Sequence, residues 1–279
     1  MGEISPSAAI ASARIGRRAV EYAEHVSAAD KRGADPELLV EELTRLTDGL
    51  LDYLSDHAED LLDQSRQHGR GLIFEDLYEA AHKPRAAEPA RPVPHAVFAA
   101  LLAAETEFRG PLRLGARQST RLAEIYERLG ARLSAELPRL AMLAFQRAGA
   151  LYRTTEDIEA QDRCGLARAR ARTRAVRGWQ RAIGLFSDAV CGYGYRPFRL
   201  LGWVGAQLVL FTVVGLLLAG ASPGDTVYMC VTSFLNPLGL GDIARLHDAA
   251  RPLFAIESWT GTVSISVFFA LLVRKWFRL

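Results

Sequence analysis

The chain has 279 residues, with 34 Lys and Arg against 32 Asp and Glu, for a formal net charge of +2. So close a balance gives bulk charge no reason to seek a polyanion, and no nucleic-acid partner is expected. Its three cysteines, Cys164, Cys191 and Cys230, lie far apart without Cys-x-x-Cys spacing, which points to neither a disulfide framework nor a zinc site.

Met1–Val20 contains Glu3, Arg14, Arg17 and Arg18 and has no apolar core, so it does not read as a signal peptide. Gly2 does not read as a myristoylation site, because Pro6 stands where Ser or Thr is required. Residues 1–190 are therefore expected in the cytoplasm. An amphipathic helix at about 8–29 is followed by Lys31-Arg32-Gly33. Asp35-Pro36-Glu37 then carries a helix start: an N-cap acid, proline at the first helical position and an acid in the first turn. Leu38, Leu39, Leu43, Leu46, Leu50, Leu51 and Leu54 continue at near-helical spacing, in a pattern running to about Ser65.

Pro84, Pro89, Pro92 and Pro94 make 84–94 a linker expected to divide N-terminal helices at 1–83 from a second helical region at 95–190. Helices are expected there at about 95–107, 117–130 and 134–152. A long one should start near Thr155, where Asp157 and Glu159 make an acidic first turn. No useful strand alternation occurs, and the fold class is all-α. Residues 137–178 fit one helical hairpin of tetratricopeptide type without a strict repeat. His25, His57, His68, His82, His95 and His247 are scattered, and no HExxH, GxSxG or phosphate-loop pattern occurs. No catalytic residue, cofactor or enzyme activity is assigned.

Arg163, Arg168, Arg170, Arg172, Arg174, Arg177 and Arg181 follow one another with no acid after Arg163. On one continuous helix, Arg170, Arg174, Arg177 and Arg181 would form a single stripe. Because the next segment is apolar, anionic lipid headgroups are a better match for it than nucleic acid. Trp179, Ala182, Ile183, Phe186 and Val190 give the following helix an apolar face suited to lying on a membrane. Gly192-Tyr193-Gly194, next to Arg196-Pro197, reads as the elbow after that helix.

From Leu200 to Gly224 there is no charge, enough for the roughly 20 residues a helix needs to cross a bilayer. The first span is placed at about 200–221, ended by Pro223-Gly224. A second, at about 254–275, is interrupted only by Glu257 near its start. Arg196 and Arg199 precede the first span, and Arg274, Lys275 and Arg278 follow the second, whereas 225–251 carries Asp225, Asp242 and Asp248 against Arg245 and Arg251. Positive flanks mark the cytoplasmic side, so both termini are expected inside. Trp203, Trp259 and Trp276 lie near span ends, where aromatic belts form.

Between the spans stands Leu238-Gly239-Leu240-Gly241-Asp242. Two glycines one residue apart permit backbone conformations that Cβ atoms forbid. At membrane depth such backbone survives only buried in protein or lining a water-filled path, where carbonyl oxygens can replace a cation's hydration shell. The order of span, short helix, Gly-x-Gly-Asp and span resembles the two-helix pore module of the potassium-channel superfamily, over about 190–279. Cys191-Gly-Tyr-Gly-Tyr-Arg-Pro-Phe-Arg199 and Val273-Arg-Lys-Trp276 are similar to a bacterial branch that carries varied cytoplasmic domains.

The resemblance implies a homotetramer around one pore in a bacterial inner membrane. Its filter is Pro237, Leu238, Gly239, Leu240 and Gly241, followed by Asp242, at about 225–242 together with its pore helix. Tyr228 and Asn236 belong to the pore-helix region, and Glu257 and Gly261 to the head of the inner helix. The only metal implied is a permeating monovalent cation. Asn236-Pro237 stands where the family has threonine, and Leu240 where it has tyrosine, so the fold carries over better than potassium selectivity. The expectation is a cation channel with a cytoplasmic helical regulatory or assembly domain, whose own ligand or protein partner is not readable. The alternative is a non-conducting membrane-anchored scaffold or a membrane effector of a sensing or defence system.

Overall fold

The computed structural model describes residues 6–32, 36–56, 71–82, 93–110, 113–218, 222–235 and 251–277. Among these the regular elements are all helical, without a strand. The chain falls into two compact units, Met1–Arg181 and Ala182–Leu279.

The first unit contains α1 (Pro6–Arg32), α2 (Pro36–Asp56), α3 (Glu75–His82), α4 (His95–Arg109), α5 (Ala116–Leu133), α6 (Pro138–Thr154) and α7 (Ile158–Ala175). Helix α4 is its axis. Every residue from Val97 to Glu107 is buried, so this helix is covered all round rather than along one stripe. Helix α1 turns Ala8, Ala11, Ile15, Ala19 and Tyr22 into the core. The three alanines there let its backbone come close, and the Tyr22 and Phe98 rings meet edge to face at 5.3 Å. The Tyr22 hydroxyl donates to the Leu39 carbonyl at 2.7 Å, tying α1 to α2. One apolar cluster includes residues on both sides of the proline-rich stretch, from Ala8 to Ala81 and from Val93 to Ala171. The expected division at 84–94 therefore does not divide the core.

Helices α5, α6 and α7 continue as successive packed neighbours. The expected helix start at Thr155 moves to Asp157, whose carboxylate accepts from the Ala160 backbone N–H at 3.0 Å. Thr155 instead closes α6, its N–H donating to the Leu151 carbonyl, and Glu156 takes the left-handed position with φ 56°. Helix α7 then stops at Ala175, because Val176 is extended and Gly178 is left-handed with φ 67°. The single stripe expected of Arg170, Arg174, Arg177 and Arg181 is thereby broken. The first two are on α7, Arg177 is in the connector, and Arg181 belongs to the next helix. Arg174 donates to the Ser134 carbonyl at 3.4 Å.

Among the described residues of this unit, two acidic side chains are buried. Glu105 accepts from Tyr126 at 3.0 Å and pairs with Arg147 through both oxygens. Glu107 accepts from the Phe74 backbone N–H at 2.9 Å. Burial pushes its carboxyl up to about 8, against the opposing pull of that backbone hydrogen bond.

The second unit begins within α8 (Trp179–Cys191) and continues with α9 (Pro197–Leu218), α10 (Pro223–Leu235) and α11 (Arg251–Phe277). Between α8 and α9, Gly192, Tyr193 and Gly194 are all left-handed, with φ of 55°, 54° and 85°. The three form one reversed turn, which makes this stretch an elbow. Helices α9 and α11 each contain 22 residues long and apolar enough to cross a membrane, Pro197–Leu218 and Pro252–Val273. Pro223, expected to end the first span, instead opens α10 at its first helical position.

Candidate functional site

Helix α10 is held between the two long helices by two glycines. On α9, a β-carbon at Gly215 would stand 3.3 Å from Cys230 Sγ and 3.3 Å from Thr226 Cγ2. On α11, a β-carbon at Gly261 would meet both the ring and the carbonyl oxygen of Phe234 at 2.9 Å. Small residues at these two points let α10 approach both neighbours. Phe234 and Phe254 are buried at the contact. A polar tie joins the long helices directly, Ser264 Oγ donating to Gln207 Oε1 at 3.0 Å.

The start of α10 is fixed locally. Ser222 Oγ accepts from the Asp225 backbone N–H at 3.2 Å and donates to the Asp225 carboxylate at 2.7 Å. That satisfies one of the helix's orphan donors and places an acid at its positive end. The last described residue of α10 is Leu235, so the negative end of its dipole precedes Asn236 in the chain. Asn236, Pro237, Leu238, Gly239, Leu240, Gly241 and Asp242 lie outside the described residues.

Of the supporting residues, Gly261 is in contact with α10 as just described. Glu257 is wholly buried, with Cys230 the polar group beside it. Neither of its carboxylate oxygens makes a hydrogen bond among the described residues. Tyr228 is 71% exposed, so within one chain it supports nothing. Gly215, Thr226 and Phe254 are not among the residues the sequence points to, and Cys230 stands out there only as an isolated cysteine. The available signal was Gly215 itself, since glycine inside a helix costs roughly 0.5–1 kcal/mol against alanine and needs a packing reason.

The elbow holds α8 to α9 through side chains as well as backbone. Trp203 Nε1 donates to the Ala189 carbonyl at 3.1 Å and Arg199 Nη1 to the Asp188 carbonyl at 3.2 Å. Two residues from the first turns of α9 thus occupy carbonyls at the end of α8, which intrahelical bonds leave open. The expected membrane face of α8 is solvent-exposed at Trp179, Ile183 and Phe186.

Compared with known proteins, the chain matches no family model, no curated protein and no solved structure.

Proposed function

We propose that this chain is one subunit of a cation pore in a bacterial inner membrane, with the Met1–Arg181 unit as its cytoplasmic regulatory or assembly domain. The observation that carries the reading is α10, a 13-residue helix pinned by Gly215 and Gly261 between two helices long enough to cross a bilayer. Such a helix is too short to span. Its C-terminal dipole leads in sequence to Pro237–Asp242, where Gly239 and Gly241 allow carbonyls to point at an ion. One chain supplies two spans and one short helix, which cannot enclose a path, so a closed ring of four is proposed. Tyr228 and Leu235, exposed on α10, then have neighbouring subunits to meet.

In this arrangement both termini face the cytoplasm. Helix α8 lies along the inner leaflet with Trp179, Ile183 and Phe186 in the headgroup region. Arg170, Arg174, Arg177 and Arg181 supply cations for anionic lipid, each worth roughly 1 kcal/mol near the surface.

The test is cation flux through protein reconstituted in liposomes, with Gly241→Ala as the variant. Positive φ becomes costly with a β-carbon, so flux should fall sharply. Equal flux from both proteins refutes the filter assignment. Asn236→Thr with Pro237→Thr should raise preference for potassium over sodium by supplying hydroxyl ligands at the inner site. A second reading, a membrane anchor or effector without conduction, is favoured by Asn236-Pro237 and Leu240 in the filter itself. It gains if wild-type protein passes no cation.

A further inference from the structure

Between α1 and α2 lies a cleft of about 610 Å³ lined by Arg14, Arg17, Arg18, Glu21, Arg45 and Gly49, among others. The two helices are antiparallel neighbours. Tyr22 of α1 reaches Leu39 near the start of α2, and Arg14, earlier in α1, lies over Tyr53 near its end. In that register Arg18 falls opposite Leu46, with Gly49 about one turn further along α2. Gly49 offers no side chain there, and a β-carbon built on it meets nothing within 4 Å. The absent side chain leaves a notch in the seam, and arginines surround it.

Helical periodicity puts the arginines there. Arg14, Arg17, Arg18 and Glu21 fall at i, i+3, i+4 and i+7, one face of α1, beside the face that carries Ile15, Ala19 and Tyr22 into the core. Arg45 and Gly49 are i and i+4 on α2. Four arginines and one glutamate are therefore among the residues that line the cleft. Arg18 pairs with Glu21 at 2.9 Å and Arg45 with Glu42 at 2.6 Å. Neither Arg14 nor Arg17 has a carboxylate partner among the described residues. Arg14 is held flat by stacking, its guanidinium carbon 3.8 Å above the Tyr53 ring.

We propose that this cleft is a binding site for a small polyvalent phosphate anion of nucleotide size. Arg18 and Arg45 are balanced by Glu21 and Glu42, so Arg14 and Arg17 carry the cleft's excess positive charge, which a bound polyanion would offset. Guanidinium groups match phosphate oxygens in paired hydrogen bonds, and two phosphates offer enough acceptors for all four arginines. The volume lies within the roughly 300–1,000 Å³ of small-molecule sites. Phosphate of this kind comes from a soluble metabolite or from a lipid headgroup, and the two are separated below. The proposal rests on the first unit alone and stands or falls independently of the pore.

The test uses the full chain in nanodiscs of neutral phosphatidylcholine, titrated calorimetrically with inorganic tripolyphosphate and, separately, with ATP. Saturable binding that weakens as salt rises is expected. Arg14→Gln with Arg17→Gln should weaken it at least tenfold. Gly49→Leu should abolish it while leaving the melting temperature unchanged or higher, because leucine is the better helix former and the notch has room. Arg113→Gln with Arg117→Gln, exposed and outside the cleft, should bind as wild type does. If neither soluble probe binds but phosphatidylglycerol nanodiscs raise the melting temperature, and Gly49→Leu cancels that rise, the phosphate is a lipid headgroup. No response to any of these probes overturns the site. So does binding that survives both cleft variants.

Discussion

The guanidinium of Arg147 grips the Glu105 carboxylate at two points, Nε to Oε1 at 3.0 Å and Nη2 to Oε2 at 3.1 Å, while Tyr126 donates to the same carboxylate. The Glu105 side chain is 4% exposed. A buried charge whose partner is removed costs far more than the pair contributes, because desolvation remains and the attraction does not. Arg147→Ala should therefore destabilise the first unit by about 3–5 kcal/mol. Replacing both residues by methionine should cost much less. Urea unfolding of the two variants checks this, and equal losses would refute the account.

Glu107 makes stability depend on pH in the direction opposite to most carboxylates. Its carboxyl is pushed up to about 8 by burial, against 4.5 for an unperturbed glutamate. Below about 4.5 it is neutral in folded and unfolded chains alike. Between about 4.5 and about 8 the unfolded chain has released a proton that the folded chain keeps, so stability falls as pH rises, by at most about 1.4 kcal/mol per unit. Above about 8 the penalty is constant. Glu107→Gln keeps an acceptor for the Phe74 N–H and removes the titration. Melting temperatures between pH 5 and 9 should decline less for the variant, and parallel curves would refute the assignment.

Gly261→Ala should force α10 and α11 apart, since one of the atoms its β-carbon meets is the backbone oxygen of Phe234, which cannot rotate away. Overpacking of this kind costs about 1–3 kcal/mol. Gly205→Ala, where a β-carbon meets nothing within 4 Å, should be neutral or stabilising. Thermal unfolding in mild detergent, with oligomer size measured in parallel, compares the two.

Gly192→Ala and Gly194→Ala each place a β-carbon on left-handed backbone, a strain of about 1–2 kcal/mol. At Gly192 it would also meet Arg196 side-chain carbons at 3.3 Å. Both variants should lower the melting temperature while leaving the ion preference of any flux unchanged. A changed preference would refute the reading of Gly192–Gly194 as an elbow alone.

Reporters fused at residue 1 and at residue 279 should both report cytoplasm, and one inserted within 243–250 should report the outside. An outward C-terminus would remove the two-span topology and the pore with it.

Much of the helical architecture could be read from the sequence, because it rests on short-range signals. The uncharged run after Leu200 gave α9, and the spacing of the leucines from Leu38 onward gave α2. Helix ends were harder. Thr155 and Asp157 are both good caps, and only Glu156 turning left-handed assigns one to each side. The break after Ala175 is hidden within the arginine run, Gly178 being the one residue that marks it. Tertiary facts lay further out of reach. That α4 is buried all round follows from how many helices pack on it, and Gly215 meets Cys230 only once α9 and α10 have folded back on each other.

The elbow has a mechanical consequence. Two glycines make the elbow's backbone permissive in itself, but Trp203 and Arg199 clamp carbonyls at the end of α8 to the start of α9. Helices α8 and α9 therefore move as a bent crank. A twist delivered to α8 reaches Gly215, and so α10, before it can be lost in a hinge.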